Sequence, residues 1–515
     1  MKLFNKPFRI LLAGAMMIPA ACENYLDRTP LAELSPNTFF TTRGDMRSWM
    51  SGLYDEFQDA LNGSTAAVLE WGDLRSDNYG NTGYGDTRVY MNAIDASQAQ
   101  WSWAGLYKVI DRCNVGIARF HAIPNLLPSD YNPHVGQCYG MRALMYFYAI
   151  RVWGEVPLVT EPWDGSLASS RQGRTPMETI KAQILSDIDE AIERLSLDVA
   201  GTQKFYFNMG AARALKTDVH LWFGEYEKAL QASDYFTGNS NYTLVRDDKA
   251  WKDQFTNPMN SGETIFTMHW SSDLSDGANS WAQRIGAANT NNTYKMSRGI
   301  FNEFVDRLYS GKGADGRFWN VVDTVKIWRN GNRVPISYNH YAQAGIEKCV
   351  KFSPVMAGRA NAEADYWQVL STTESFVQMP VYRLADVLTL RAEALNQLGR
   401  GEEAMVILNS LRQRVGYLAD ARDEASPTDK QAVEWLILRE RQLEFIGEGK
   451  RWFDLRRTGR LMEVMDATMR TRQEEANVSI TGFGDEGRAL FPIYYREFEA
   501  NPELKGKQNP PYTEG

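Results

Sequence analysis

The sequence predicts a mainly α-helical protein built from tetratricopeptide-like helix pairs, with a loop-rich, irregular part inserted between them. Three observations predict this fold class. Apolar residues recur at steps of three and four through residues 384–415, which is the spacing of one helical face. The turn between these two helices has a counterpart at residues 223–230. Between these segments, residues 256–375 are crowded with turn signals and show weak helical periodicity.

The N-terminus has the organisation of a bacterial lipoprotein leader. Lys2, Lys6 and Arg9 supply a basic head without any acidic residue. Residues 10–21 are all apolar or small, and Cys22 follows a pair of alanines. This apolar run is too short to cross a bilayer as a helix, which needs about 20 residues.

We therefore expect residues 1–21 to be a signal peptide, cut before Cys22, and residues 22–43 to be a tether lipidated on that cysteine. Pro19 departs from the lipoprotein pattern, because leucine is usual three positions before the cysteine. The alternative is a plain cleaved signal peptide, with Cys22 an ordinary residue near the new terminus. No later segment is apolar enough to span a bilayer, so lipid is the expected attachment to the membrane.

The charge of the chain argues against a nucleic-acid partner. The net charge is −8, and removing residues 1–21 takes away three positive charges and leaves −11. Binding to a phosphate backbone needs lysine and arginine to replace counterions, and the sequence has no basic stripe. The three remaining cysteines, Cys113, Cys138 and Cys349, have no CxxC spacing. We expect buried thiols, with a Cys113–Cys138 disulfide as the alternative.

The mature chain divides into two parts. We expect a helical part at residues 44–255 and a second part at residues 256–515, in which a loop-rich insertion (256–375) precedes a helical segment (376–515). Further helices are expected at residues 44–61, 101–121, 134–153, 176–195, 298–309 and 431–447.

The helix pairs are the clearest local prediction. One apolar face runs from Leu384 to Leu398, and Gly399 and Gly401 then break the helix. A second face follows and ends at Gly416. Residues 223–230 (FGEYEKAL) repeat the turn at residues 398–405 (LGRGEEAM), so both resemble tetratricopeptide turns. Because the copies lie far apart in sequence, the helical scaffold must be assembled around the inserted region.

Nothing in the sequence indicates catalysis. The five histidines are scattered, and there is no HExxH, GxSxG, GxGxxG after a strand, or P-loop. A glycosidase-type carboxylate pair stays open, because carboxylates are abundant in an acidic chain. We therefore expect a protein that is not an enzyme and that has no cofactor and no metal site.

Aromatic residues on Gly-rich and Asn-rich loops are suited to binding a sugar. A flat ring can cover the C–H face of a sugar, while amides, carboxylates and guanidinium groups reach its hydroxyl edges. The candidate contacts are the rings of Trp71, Tyr79, Tyr84, Trp281 and Tyr294 and the polar side chains of Asp73, Asn81 and Asn279. The alternative for any one ring is packing in the core. We assign that role to Trp101, Trp103, Tyr107, Trp452 and Phe453.

An ordered set of motifs resembles the SusD/RagB family of outer-membrane nutrient-binding lipoproteins over essentially the whole mature chain. The motifs are residues 22–30 (CENYLDRTP), 103–114 (WAGLYKVIDRCN), 140–148 (GMRALMYFY) with 154–158 (GEVPL), 382–396 (YRLADVLTLRAEALN), 440–456 (ERQLEFIGEGKRWFDLR) and 491–510 (FPIYYREFEANPELKGKQNP). Each motif alone is weak, but their order is specific.

The resemblance implies a SusD-like α superhelix with four tetratricopeptide-like pairs and a loop-rich, irregular capping subdomain. It also implies a SusC-like TonB-dependent porin as partner, over which the protein sits as a lid at the outer membrane, facing the cell exterior. Residues 23–36 would then be the leash of that lid. The expected ligand is a glycan. There are two alternatives. The ligand could be a peptide, or the protein could be a structural lid without any ligand affinity of its own.

The family motifs themselves are expected to be scaffold. A buried charge must be paired to avoid an uncompensated desolvation cost, which explains Arg439, Glu440, Glu444 and Arg451 without a ligand.

Overall fold

The computed structural model of the protein describes residues 39–514 with internal gaps. The gaps are residues 64–65, 84–86, 168–170, 272–279, 287–293, 323–327, 330–331, 334, 343–347, 353–354, 357–367 and 370–376. Cys22, the predicted signal peptide and most of the predicted tether therefore lie outside the described residues. Within the described ranges, no helix is both long enough and apolar enough to cross a membrane.

Helices dominate the described chain, and the strands are short. The helices are α1 (Arg43–Leu61), α2 (Ala67–Leu69), α3 (Ala104–Arg119), α4 (Pro128–Trp153), α5 (Met177–Arg194), α6 (Met209–Trp222), α7 (Tyr226–Ser233), α8 (Asp248–Asp253), α9 (Trp281–Ile285), α10 (Arg298–Leu308), α11 (Arg317–Val321), α12 (Leu384–Gln397), α13 (Gly401–Gln413), α14 (Lys430–Glu444), α15 (Arg451–Arg457), α16 (Leu461–Glu475) and α17 (Tyr495–Ala500). The strands are β1 (Tyr79–Asn81), β2 (Thr264–Met268), β3 (Tyr294–Met296), β4 (Trp328–Arg329), β5 (Asn332–Arg333), β6 (Val355–Met356), β7 (Gln368–Val369) and β8 (Met379–Arg383). The mainly α prediction is confirmed.

Helix α1 shows how the local sequence sets both the start and the buried face of a helix. The Thr42 hydroxyl accepts a hydrogen bond from the Asp45 N–H at 3.2 Å, and the Asp45 carboxylate accepts one from the Thr42 N–H at 2.7 Å. This capping box satisfies N–H groups that a helix start leaves without partners. The apolar residues that follow at steps of three and four are the buried ones: Met46, Met50, Leu53, Phe57 and Leu61.

The other predicted helices are confirmed as well. The helices expected at 101–121, 176–195, 298–309 and 431–447 correspond to α3, α5, α10 and α14, with ends that differ by at most three residues. Helix α4 begins earlier than its predicted start at residue 134. Proline suits the first helical position, which Pro128 occupies, and the Asp130 carboxylate accepts a hydrogen bond from the Leu127 N–H at 3.0 Å.

Consecutive helices pack as pairs, and the array continues across the insertion. Gly224 (φ +70°) and Gly399 (φ +79°) make the tight turns α6–α7 and α12–α13 in a backbone region that favours glycine. Helix α7 packs directly on α12, more than 150 residues later in the chain. Their shared apolar cluster consists of Leu221, Ala229, Leu390 and Ala394. The prediction of a scaffold assembled from distant segments is therefore confirmed.

A buried antiparallel sheet, which the sequence patterns did not predict, precedes α12. Strand β8 pairs with β2, with Thr264 opposite Arg383 and Met268 opposite Met379. Every residue of β2 is buried, so the strand lacks the alternation of polar and apolar residues that marks a half-exposed strand. The segment that begins near residue 380 therefore starts as a strand and becomes helical only at Leu384.

A buried network of ion pairs joins the insertion to the C-terminal helices. Arg383 pairs with Glu263 at 2.6 Å and with Glu448 at 2.8 Å, and it also pairs with Glu444. Glu440, on the same helix as Glu444, pairs with Arg317 at 2.7 Å. Removing one member would leave a buried charge without compensation, which is strongly destabilising. The prediction that Glu440 and Glu444 are paired scaffold residues is confirmed.

The three cysteines of the described chain are buried free thiols. Cys113 lies on α3 and Cys138 on α4, two helices that pack together. The preferred prediction of buried thiols is confirmed, and the alternative Cys113–Cys138 disulfide is not formed.

Candidate ligand-binding cleft

The segment of residues 70–79, which the sequence singled out, is held against the chain at residues 446–449. The Asp73 carboxylate accepts a hydrogen bond from the Gly447 N–H at 2.6 Å. Gly72 is required at this point, because a Cβ there would lie 1.9 Å from the Gly449 carbonyl oxygen. Burial raises the pKa of Asp73 to about 7, against the opposing effect of hydrogen bonds from Asn78 and Gly447. Asp73 is thus a structural acceptor and not the exposed edge contact that the sequence suggested.

Four of the rings predicted as sugar platforms lie in the core. The exposed fractions of Trp71, Tyr79, Trp281 and Tyr294 are 2, 1, 1 and 2 %. Trp71 packs edge-to-face on Trp153 at 5.4 Å between ring centroids, and the Trp281 indole N–H donates to the Gly447 carbonyl at 2.8 Å. The platform prediction for these rings is therefore corrected. Large aromatic side chains gain most by burial, and distant segments cover these four.

The remaining predicted contacts have different outcomes. Tyr84 and Asn279 lie outside the described residues. Asn81 is half-buried at the end of β1 and borders an open cavity. The aromatic residues predicted to pack do so: Trp101, Trp103, Trp452 and Phe453 are buried, and Tyr107 is partly buried against the core.

This cavity, which we call the polar cleft, has a volume of about 640 Å³. Strands β1 and β3 form one wall, with Asn81 opposite Tyr294 in antiparallel register. The start of α10 and one face each of α14 and α16 form the rest, together with Tyr341. The cleft thus joins segments that are up to about 400 residues apart in sequence.

Arg472 of α16 organises the β1 side of the polar cleft. Its guanidinium donates to the carbonyl oxygens of Ser76 at 2.6 Å, Tyr79 at 2.8 Å and Tyr90 at 2.7 Å. It also donates to the Arg75 carbonyl at 3.2 Å. Burial lowers the pKa of Arg472 to about 10, so the side chain stays charged at neutral pH. These bonds fix the backbone that carries Asn81.

The ring of Tyr341 in the cleft wall has two cations beside it. The Tyr341 hydroxyl donates to the Met296 carbonyl at 2.6 Å, which fixes the ring against β3. The Arg298 guanidinium lies 4.8 Å from the ring centroid and the Lys295 ammonium 5.7 Å, both within the range of cation–π attraction. Neither Tyr341 nor its two cations were among the residues that the sequence predicted.

Asp77 lies at the base of the polar cleft, where its charge is balanced. It accepts two hydrogen bonds from Arg451, at 2.8 and 2.9 Å, and one from Gln442 at 2.8 Å. Although burial raises the pKa of Asp77, the charge and hydrogen bonds of Arg451 outweigh it and lower that pKa below its usual value. The predicted scaffold role of Arg451 is confirmed.

Arg439 differs from the other three residues that we assigned to scaffold. Its side chain is 51 % exposed and borders the polar cleft, at 4.0 Å from Glu424. The prediction that Arg439 is buried is therefore wrong, although the side chain does pair with Glu424. The sequence holds a signal for the side chains that α14 and α16 present to the cleft. Arg439 and Gln442 lie one turn apart on α14, and Thr468 lies one turn before Thr471 and Arg472 on α16. Such polar stripes are also typical of any solvated helix face.

A second, smaller cavity borders the ring of Trp71. It has a volume of about 410 Å³ and lies between the end of α1, residues 99–106 and Trp71. Trp71 is 2 % exposed, so its ring offers little surface to a ligand in this cavity. The polar cleft offers more hydrogen-bonding groups and is the stronger candidate site. Among the described residues, no group of three or more His, Cys, Asp or Glu side chains is placed to hold a metal ion.

Helix pairs that carry a polar cleft between two short strands and three helices define a helical-repeat protein with a candidate site for a small ligand. The chain belongs to the SusD family: residues 246–512 match the model described as "SusD family". Residues 24–221 match a second model, described as "Starch-binding associating with outer membrane". The SusD/RagB resemblance is confirmed.

Individual relatives agree with this assignment. SusD-like protein P38 from Formosa agariphila is 26 % identical, over 99 % of this chain and 100 % of that protein. A SusD superfamily protein from Bacteroides vulgatus has a TM-score of 0.72 at 20 % identity, over 90 % of this chain and 98 % of that one. A "Laminarin binding SusD-like protein" has a TM-score of 0.67 at 21 % identity, over 91 % and 99 %. At these identities the structures establish the fold.

Proposed function

We propose that this protein is a cell-surface lipoprotein that captures a glycan in the polar cleft and delivers it to a SusC-like TonB-dependent porin. In this proposal the protein binds its ligand and does not convert it. Cys22 carries the lipid, and residues 23–36 act as a leash at the outer membrane. Both lie outside the described residues and rest on the sequence and on the family.

The observation that carries the proposal is the chemistry of the polar cleft. Asn81 and Gln442 offer amide groups, and Thr468 and Thr471 offer hydroxyl groups, which suit the dense hydroxyl edges of a sugar. Tyr341 adds a fixed aromatic ring in the same wall. The volume of the cleft falls within the range of about 300–1,000 Å³ that is usual for small-ligand sites.

The comparisons support the same role. One matching family model is described as starch-binding and as associating with the outer membrane, and one structure of the same fold is of a laminarin-binding protein. A porin partner follows from the family resemblance of the motifs.

The direct test is affinity electrophoresis, followed by calorimetry, of the full-length lipoprotein in detergent against a panel of polysaccharides. Asn81→Ala removes one amide from the cleft, and we expect about fivefold weaker binding, since a hydrogen bond contributes about 1 kcal/mol. The matched control is Asn241→Ala, an exposed asparagine that does not border the cleft. Equal affinity of wild type and Asn81→Ala would exclude Asn81 as a contact.

The same preparation tests the two alternatives. Binding of peptides without binding of any glycan would favour a peptide importer. Copurification with a porin, together with no measurable ligand affinity, would favour a structural lid.

A further inference from the structure

We infer that the ligand of the polar cleft is an anionic glycan, whose carboxylate or sulfate groups are recognised by the cations around Tyr341. This inference rests on the proposed function and names the substrate class of the same site. Its basis is the charge of the groups that border the cleft.

Four cationic side chains border the polar cleft: Lys295, Arg298, Arg439 and Arg472. Within the described ranges, Lys295 and Arg298 form no ion pair, and both rest on the ring of Tyr341. Arg439 lies 4.0 Å from the carboxylate of Glu424. The guanidinium of Arg472 donates its hydrogen bonds to backbone carbonyl oxygens. Carbonyl groups satisfy the N–H donors of Arg472 but do not cancel its charge.

Three carboxylates border the cleft, Asp77, Glu303 and Glu475, one fewer than its cations. Asp77 is paired with Arg451 at 2.8 Å, and Glu303 lies 3.2 Å from Arg307, which also pairs with Asp315 and Glu440. Neither of these arginines borders the cleft. Glu475 is the remaining bordering carboxylate, and it forms no ion pair among the described residues. The cleft is therefore a positively charged site on a chain whose net charge is −8.

The cations distinguish an anionic sugar from a neutral one. A guanidinium can donate hydrogen bonds to the hydroxyl groups of either sugar, but only an anionic group is also attracted by its charge. A guanidinium matches the two oxygens of a carboxylate or sulfate group with parallel N–H donors, and an ammonium adds a compact charge. The fixed ring of Tyr341 keeps Arg298 and Lys295 over the cleft before a ligand arrives, which reduces the ordering cost of binding.

The test compares anionic and neutral polysaccharides on the full-length lipoprotein in detergent. Polygalacturonate and a sulfated galactan serve as anionic probes, and laminarin and xylan as neutral ones. We expect the anionic probes to bind at least about tenfold more tightly at low salt, since one charge-assisted hydrogen bond is worth about 1.5–3 kcal/mol. The affinity for the anionic probes should fall between 0.05 and 0.5 M salt, because exposed charges are screened, while neutral binding should not change.

The matched variants locate the effect. Arg298→Gln and Lys295→Gln should each weaken binding of the anionic probe about tenfold and leave any neutral binding within twofold. The control is Arg47→Gln, which makes the same change of charge at an exposed position of α1 that does not border the cleft. It should bind like wild type.

The outcomes separate the two proposals. Equal, salt-independent binding of neutral and anionic probes would overturn the anionic ligand and leave glycan capture standing. Salt-dependent binding that Arg47→Gln weakens as much as Arg298→Gln would also overturn it, because general surface charge would then suffice. Binding of acidic peptides without any glycan would overturn both.

Discussion

Replacing Trp281 with phenylalanine distinguishes a structural ring from a ligand contact. Trp281 is 1 % exposed, and its indole N–H donates to the Gly447 carbonyl at 2.8 Å. Gly447 in turn donates to the Asp73 carboxylate at 2.6 Å, so Trp281 belongs to the framework beneath β1. The substitution removes the donor and shortens the ring without changing any group that borders the polar cleft.

The expected magnitude follows from these contacts. A buried carbonyl that loses its donor costs about 1–3 kcal/mol. The unfilled volume beside the smaller ring adds about 1 kcal/mol. We therefore expect the free energy of unfolding to fall by about 2–4 kcal/mol, while the affinity of the folded protein for glycan stays within twofold of wild type.

Urea unfolding followed by far-ultraviolet circular dichroism measures the stability, and calorimetry without urea measures the affinity. Trp163→Phe is the matched control, because Trp163 is 62 % exposed and its N–H donates to the nearby Ser166 carbonyl. Its unfolding free energy should change by less than about 0.5 kcal/mol. If Trp281→Phe is as stable as wild type but binds glycan ten times more weakly, the structural assignment of Trp281 is refuted.

Four further predictions concern the anchor, the framework and a buried lysine. Labelled palmitate should be incorporated into wild type and not into Cys22→Ala. Deleting residues 23–36 with Cys22 retained should impair uptake by cells and spare glycan binding in calorimetry. Gly72→Ala should lower the free energy of unfolding by about 1–3 kcal/mol, because its Cβ would lie 1.9 Å from the Gly449 carbonyl oxygen. Burial lowers the pKa of Lys252 to about 7 from 10.5, so between these pH values the unfolded chain binds more protons. The unfolding free energy of wild type relative to Lys252→Met should therefore rise with pH across that window in denaturant titrations, and a flat difference would contradict the burial argument.

Prediction from sequence succeeds here where the signal is local. The helix pairs follow from apolar periodicity and from Gly224 and Gly399, whose positive φ values end one helix and allow the next. Strand β2 gave no such signal, because all of its residues are buried and no alternation marks the exposed side.

The candidate site shows the opposite case. Within the segment of residues 71–81, Tyr79 and Asn81 border the polar cleft, whereas Trp71 and Asp73 are buried and do not. The local sequence is equally compatible with Trp71 and Asp73 as ligand contacts and as buried residues. Trp71 packs on Trp153 and Asp73 accepts a hydrogen bond from Gly447, and no local pattern connects them to these distant partners.

The sequence by itself determined the helical-repeat class, the family and the expected lipid anchor, because periodicity, glycine turns and ordered motifs are properties of neighbouring residues. Only the tertiary structure decided which aromatic rings are buried and which charged groups meet in the polar cleft. Lys295 and Arg298 are near neighbours in the chain, whereas Arg439 and Arg472 come from two later helices, and all four share one surface only after folding. Burial and charge pairing depend on contacts between distant segments, and a single sequence does not contain those contacts explicitly.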